Sequence, residues 1–376
     1  MDRDVLIFNW MDIKNPNSGG QEKYCYEIGK RLARDGFKVT WITSNFKGGS
    51  ESDNYNGIQI ERTGNIYTVY VKSILKYLKH RRAEFVLISI NAIPFLAPFH
   101  KKRRIIMVYH RIELKNMKEK IGFLGVISFF FQEYINPLIY RNDKVLTDSI
   151  SSSRDFESIG YRNIKTVKLG VDLPETTDFR KENLIVSPGP VKPWKHHDWA
   201  IEAFSGVENS WQLTIFGSFE SEEYEKHLKE LTNNLKVSER VHFLGRISDE
   251  EVKKIYEKSK ICLLATEKEG WGLVAMEAQS FGCSVVAFNV PGIRESVMDG
   301  KTGILVKFGD IAALRDALKS VTNDESILQE LSSAAVRRSR EYDWELCYDD
   351  FRSEMQKLGI SLSIPKKFDA LTKEKD

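Results

Sequence analysis

At 376 residues, with 41% hydrophobic and 29% charged content, the chain is too long for one typical core and too apolar to be disordered, so two domains are expected. Cys25, Cys262, Cys283 and Cys347 lie far apart with no C-x-x-C pair, which argues against a zinc site or a disulfide framework and for a reducing compartment. The net charge of +3 is uneven: residues 1–150 carry 24 Lys and Arg against 15 Asp and Glu, and the remainder 32 against 38, so the basic first half suggests an anionic partner, a phosphate-bearing molecule or a membrane surface.

The opening MDRDVLIFNW is acidic and runs directly into a strand pattern, so no secretory signal is read there and a cytoplasmic protein is expected. Strand runs follow in order at 5–10, 38–43, 85–90, 104–110 and 144–149, then at 183–189, 211–217, 240–245, 260–265, 283–289 and 303–307. They are short and apolar without alternation, as strands buried on both faces of a parallel sheet read. Helical patterns lie between them. Residues 20–34 place Tyr24, Ile28 and Leu32 on one stripe, and Asp35-Gly36 supplies the stop. The alternation implies an α/β chain of two doubly wound domains.

The boundary is placed in the turn-rich stretch 170–183, giving a first domain over 1–172, a second over 173–340 and a closing segment over 341–376. The end, PKKFDALTKEKD, reads as a charged tail. Within the first domain, IGFLGVISFFFQEYINPLIY (121–140) is uncharged for 12 residues, through Gln132, before Glu133. As helix that run spans roughly 18 Å, short of the ~30 Å hydrocarbon core. Its periodicity permits a buried helix or an interfacial one. Lys101, Lys102, Arg103, Arg104, Arg111, Lys115, Lys118 and Lys120 just upstream suit a membrane surface in the second case.

In a doubly wound domain ligands bind beyond the carboxyl ends of the strands. Four polar, glycine-bearing segments fall there: NPNSGG (15–20), GPVKPWKHHD (189–198), GSFES (217–221) and ATEKEGWG (265–272). The last runs on into EGWGLVAMEA (269–278). Gly270 and Gly272 let backbone approach a ligand, and a helix starting near Leu273 points free N–H groups at it, an anion site suited to phosphate. Glu277 lies about five residues into that helix, where the ribose of a nucleoside diphosphate would sit, and Glu269 precedes the turn, on the side of a sugar. Carboxylates suit diols because they only accept hydrogen bonds. Lys195 is the natural cation for the diphosphate. Taken singly, these residues also read as surface carboxylates, a surface lysine and a turn. Neither a G-x-G-x-x-G fingerprint nor a Walker A loop is present.

Together the segments resemble the retaining nucleotide-sugar glycosyltransferases of family 4, which have a GT-B fold of two Rossmann-like domains facing across a cleft. The likeness runs from about residue 5 to 350. It is carried by Glu269–Glu277 as the family's E-x7-E motif, by GCSVVAFNVPGIRESVMDGKTGILV after it, by RVHFLGRISDEEVKKIYEKSKICLLAT before it, by LGVD (169–172), and by SGGQEKYCYEIGKRLARDGFKVTWIT near the start. The resemblance implies that Glu277 holds the ribose and Glu269 the donor sugar. It implies that Lys195 and the N–H groups of Gly272 and Leu273 hold the diphosphate, with Gly270 and Trp271 completing the turn. Gly19 and Gly20 would serve the phosphates from the first domain, His110 would approach the transferred sugar, and Arg246-Ile247 would read the base. Read alone, a histidine after a strand is more often structural. The final helices would brace the first domain. An arginine common in the family five residues before the phosphate lysine is Pro190 here, and Lys192 is the substitute, a point charge and not a planar fork.

The implied activity is transfer of a sugar from a UDP or GDP sugar to a glycan or lipid-linked acceptor, with retention and without a metal or other cofactor. The protein would sit at the cytoplasmic face of a membrane through its basic first domain, with no nucleic-acid partner. Two other readings stay open, a nucleotide-sugar epimerase on the same fold and a non-catalytic nucleotide-binding subunit.

Overall fold

The computed structural model describes residues 3–90, 93–95, 103–108, 111, 114–176 and 180–362. His110, Lys101, Lys102, the side chain of Lys120 and the charged tail lie outside the described residues. The chain divides into two compact units, one formed by residues up to Leu169 together with those from Glu345 onward, the other by Gly170–Trp344.

The first unit is built on eight strands: β1 (Asp4–Phe8), β2 (Lys38–Thr43), β3 (Ser52–Tyr55), β4 (Ile58–Arg62), β5 (Phe85–Ser89), β6 (Arg104–Met107), β7 (Lys144–Thr147) and β8 (Ile164–Thr166). Their order is β3-β4-β2-β1-β5-β6-β7-β8. All neighbours run parallel except the β3–β4 hairpin. Every residue of β5 is buried, as expected for a strand covered on both faces. β3, β4 and β8 add to the strands read from the sequence. The hairpin turns through Asn56 (φ 49°) and Gly57 (φ 82°), the two left-handed residues of a type I′ turn.

The helix Gly20–Arg34 buries Tyr24, Cys25, Ile28 and Leu32. Its start is fixed where Glu22 Oε2 accepts from the Gly19 N–H at 2.9 Å. The preceding loop is held by a buried bidentate pair, Arg62 Nε and Nη2 donating to Asp12 at 2.8 and 3.0 Å. The last helix, Trp344–Lys357, ties into this unit through Glu345 with Arg31 and Arg34, Tyr348 Oη donating to Asp35 at 2.8 Å, and Lys144 with Glu354 at 2.7 Å.

The stretch expected as one helix at 121–140 is broken at Gly122 (φ 57°) and runs as helix from Phe123 to Tyr140 through a wider π-type turn at Phe131–Ile135. Its inner side is secured by Glu133, which accepts from Arg111 and Gln132. Its outer side is apolar and open to solvent: Phe123, Ile127, Phe130, Tyr134 and Leu138 form an exposed stripe, with Phe123 77% accessible. The buried-helix reading of this segment therefore does not hold.

The second unit carries β9 (Glu182–Pro188), β10 (Gln212–Phe216), β11 (Val241–Gly245), β12 (Ser259–Leu264), β13 (Ser284–Phe288) and β14 (Gly303–Val306). All pairs are parallel, in the order β11-β10-β9-β12-β13-β14. The chain starts in the middle, winds outward to β11 and returns past β9 to β12. That reversal defines a crevice at the carboxyl ends of β9 and β12, where doubly wound sheets bind ligands. All four cysteines are buried and none is joined in a disulfide.

Candidate active site

β9 ends at Pro188 and the chain turns through Gly189–Lys192 into a 3-10 turn, Pro193–Lys195. The Lys195 N–H closes that turn on the Lys192 carbonyl at 3.0 Å. His196 follows in the left-handed conformation (φ 49°, ψ 47°), and the helix His197–Phe204 starts at once. An L-residue there is strained. Its ring stacks on Trp199 with centroids 3.8 Å apart, a contact that offsets the backbone cost. The turn thus ends with Lys195 aimed at the crevice.

From the neighbouring strand β12, the segment Ala265–Gly272 returns across the same crevice. The Glu267 N–H donates to the Trp194 carbonyl at 3.2 Å, joining the two loops. Lys195 Nζ donates to Glu269 Oε1, and the side chains are only 18% and 20% exposed. Gly272 then caps the helix Leu273–Ser280 with φ 82° and no side-chain cap bond. A Cβ at Gly272 would lie 2.4 Å from Ser296 Oγ, and one at Gly292 2.4 Å from the Glu269 carbonyl. Both positions therefore need glycine. The helix keeps N–H groups at its start unclaimed by any side-chain cap, next to a lysine, which is the make-up of an anion site.

Ser187, Pro188, Lys195, His197, Leu264, Ala265, Thr266 and Glu269 line a small open recess between the ends of β9 and β12. His197 is buried beneath the lysine turn. Burial foremost, then the charges of Lys195 and His196, push its pKa down to about 3 despite its hydrogen bond to the Ser187 backbone. It is a neutral imidazole at ordinary pH, with no partner for Nδ1.

Glu277 is half-buried within the helix 273–280, as the spacing predicts. The Trp271 side chain is buried against Tyr342, with centroids 4.9 Å apart, so its contribution to the turn is backbone. Lys192 sits at the other end of the Lys195 turn, with Nζ 2.8 Å from Glu220 Oε1. Arg246 and Ile247 follow β11, at the sheet edge two strands from β9; Arg246 is exposed and Ile247 half-buried. Gly19 and Gly20 belong to the first unit, at the start of its first helix beside the β1/β5 reversal. His197, Glu220 and Thr266 were not read from the sequence. Among the described residues, no group of three or more His, Cys, Asp or Glu is arranged to hold a metal ion.

Comparison with known proteins agrees with this architecture. Residues 18–175 match the model of Glycosyltransferase Family 4, and residues 173–340 that of Glycosyl transferases group 1. The chain belongs to the family 4 glycosyltransferases, and its fold is GT-B. A D-inositol 3-phosphate glycosyltransferase from Corynebacterium diphtheriae is 35% identical over 128 residues, covering 34% of this chain and 30% of that protein. The match thus spans about a third of that relative's length. Sucrose-phosphate synthase from Thermosynechococcus elongatus superposes with a TM-score of 0.77 at 16% identity, covering 95% of this chain and 99% of that one. HepE from Anabaena, solved with UDP and glucose, gives 0.72 at 15% identity, covering 94% and 100%.

Proposed function

We propose that the protein transfers a sugar from a nucleoside diphosphate sugar to a hydroxyl acceptor, with retention and without a metal ion. One observation carries the reading: Lys195, Glu269 and the uncapped start of the helix 273–280 come together at the carboxyl ends of β9 and β12. In this proposal the diphosphate replaces Glu269 as the partner of Lys195 and takes the N–H groups of Gly272 and Leu273. Glu277 accepts from the ribose hydroxyls. Glu269, released from the lysine, accepts from hydroxyls of the sugar. Gly19, Gly20 and His110 remain the first unit's contributions, and Arg246-Ile247 those to the base. As the bond to the diphosphate lengthens, negative charge grows on the leaving group, and a fixed cation with fixed N–H dipoles stabilises that change more than the ground state. HepE, solved with UDP and glucose on the same fold, supports a UDP sugar as the first donor to try.

The acceptor side of the proposal is a lipid-linked glycan at a membrane face. Its support is the first unit's surface. The stripe from Phe123 to Leu138 is matched by Tyr67 and the helix Val69–Lys79 that follows it, where Val71, Leu75 and Leu78 are exposed, as Tyr67 is. Both helices cover the same face of the sheet: Tyr70 packs on Phe95, and Tyr140 donates to the Phe95 carbonyl. Lys72, Lys76, Lys79, Arg81 and Arg82 flank the second stripe. Aromatic and aliphatic side chains beside basic ones suit an anionic interface. No helix among the described residues is long and apolar enough to cross a membrane.

The donor reading is tested by thermal stabilisation with UDP, GDP, ADP, TDP and CMP, each with and without EDTA. Ligand that binds only the native state raises the unfolding midpoint by mass action. A shift with one diphosphate that survives EDTA is expected. No shift with any of them sinks the donor assignment.

A further inference from the structure

The loops after β9 and β10 are strapped into one body. The Val191 N–H donates to the Ser218 carbonyl at 2.9 Å, and Val191 bridges Phe219. Gly217, at φ 141°, leaves no room for a side chain, since a Cβ would lie 2.0 Å from the Gly189 carbonyl. This strap sets Lys192 opposite Glu220, with Nζ donating to Oε1 at 2.8 Å. Nζ also lies 4.9 Å from the centre of the Trp194 ring. The lysine is 18% exposed and the carboxylate 41%, so the anion is the partner freer to swing into water. Lys192 and Lys195 stand at the two ends of a single turn. Each meets a carboxylate of the protein's own. Glu269 has a further task in the reading above. Glu220 has none.

We propose that Glu220 is an internal competitor for the donor diphosphate: it occupies Lys192 in the free protein and must be displaced before that lysine binds phosphate. This inference rests on the donor-site reading. It assigns to Glu220 the tuning of diphosphate affinity, holding it low enough for the product to leave.

The test is titration calorimetry with UDP and GDP on the whole protein, comparing wild type, Glu220→Gln, Lys192→Met and the double variant. Glutamine keeps the shape and removes the charge. A partly exposed ion pair is a weak competitor, so Glu220→Gln is expected to tighten binding about two- to fivefold at low salt. The gain should shrink at high salt and vanish in the Lys192→Met background. Equal or weaker binding by Glu220→Gln overturns the inference, as does a gain that persists without Lys192. Wild-type protein that binds neither nucleotide overturns the donor reading and this inference with it. Wild-type binding with an unchanged Glu220→Gln overturns this inference alone.

Discussion

His197 makes the chemistry of the lysine turn measurable without a substrate. It is 2% exposed, and its pKa falls from an ordinary 6.5 to about 3 because burial and the adjacent Lys195 both disfavour a second positive charge. The unfolded chain takes up a proton at the ordinary value and the native chain does not. Stability from this residue is therefore fully present above pH 6.5 and is lost as the pH falls toward 3. Between those limits the loss runs at ~1.4 kcal/mol per pH unit, so going from pH 8 to pH 5 costs about 2 kcal/mol through this group alone. The perturbation is His197→Gln, which does not titrate and retains a donor for the Ser187 carbonyl. Denaturant unfolding of both proteins at pH 8 and pH 5 should show the variant losing about 2 kcal/mol less than wild type across the interval. Only the difference between the two pH values is read, so a general weakening of the variant does not matter. An NMR titration of the histidine Cε1 protons gives the direct check. A His197 signal with a midpoint above pH 5, or equal pH sensitivity in the two proteins, refutes the reasoning.

Glu277→Ala is expected to weaken nucleoside diphosphate binding by roughly 10–150-fold while unfolding stays cooperative, the range for losing one charge-assisted hydrogen bond of ~1.5–3 kcal/mol. Lys195→Met should also weaken binding, because Glu269 left without its cation would repel the diphosphate, and calorimetry checks both; retained affinity in Glu277→Ala removes the ribose assignment. For the apolar face, co-sedimentation with anionic phosphatidylglycerol vesicles should be strong at low salt. It should fall sharply in Phe123→Ser/Phe130→Ser/Leu138→Ser, and binding equal to wild type in that variant counts against the membrane assignment.

The alternation of buried strands and helices was legible because each strand of a doubly wound sheet is apolar on both faces, as β5 and β13 are throughout. The hairpin β3–β4 was missed although its signal stood in the sequence. Asn56-Gly57 is the dipeptide that favours a two-residue type I′ turn, and Ile58 and Ile60 alternate with polar residues. β3 itself, SDNY, is polar and mostly exposed, so no apolar run announced it. β8 is three residues long, too short for any period to register. The 121–140 segment shows a different limit. Composition gives its apolar content, but only the packing partners decide which residues face outward. Here the buried Glu133 and its partners Arg111 and Gln132 claim the inner side, which leaves the aromatic residues in water.

At the site, the sequence located the loops and not their pairings. The rule that ligands sit beyond strand ends is topological, so 189–198 and 265–272 could be named before any coordinates. What joins them is a lysine and a glutamate 74 residues apart, and no local pattern encodes that distance. The same holds for Lys192 and Glu220, which meet because a glycine with φ 141° lets two loops touch. Read one by one, both lysines are free cations awaiting a phosphate. Read in place, each already has an anion. Binding is then an exchange of one carboxylate for one phosphate oxygen at each lysine, and its net free energy is a small difference between similar contacts. Such a site gains selectivity from what a carboxylate lacks, namely a second phosphate reaching the N–H groups of Gly272 and Leu273. A nucleoside monophosphate, with one phosphate to offer, should therefore displace the carboxylates poorly, and a diphosphate well.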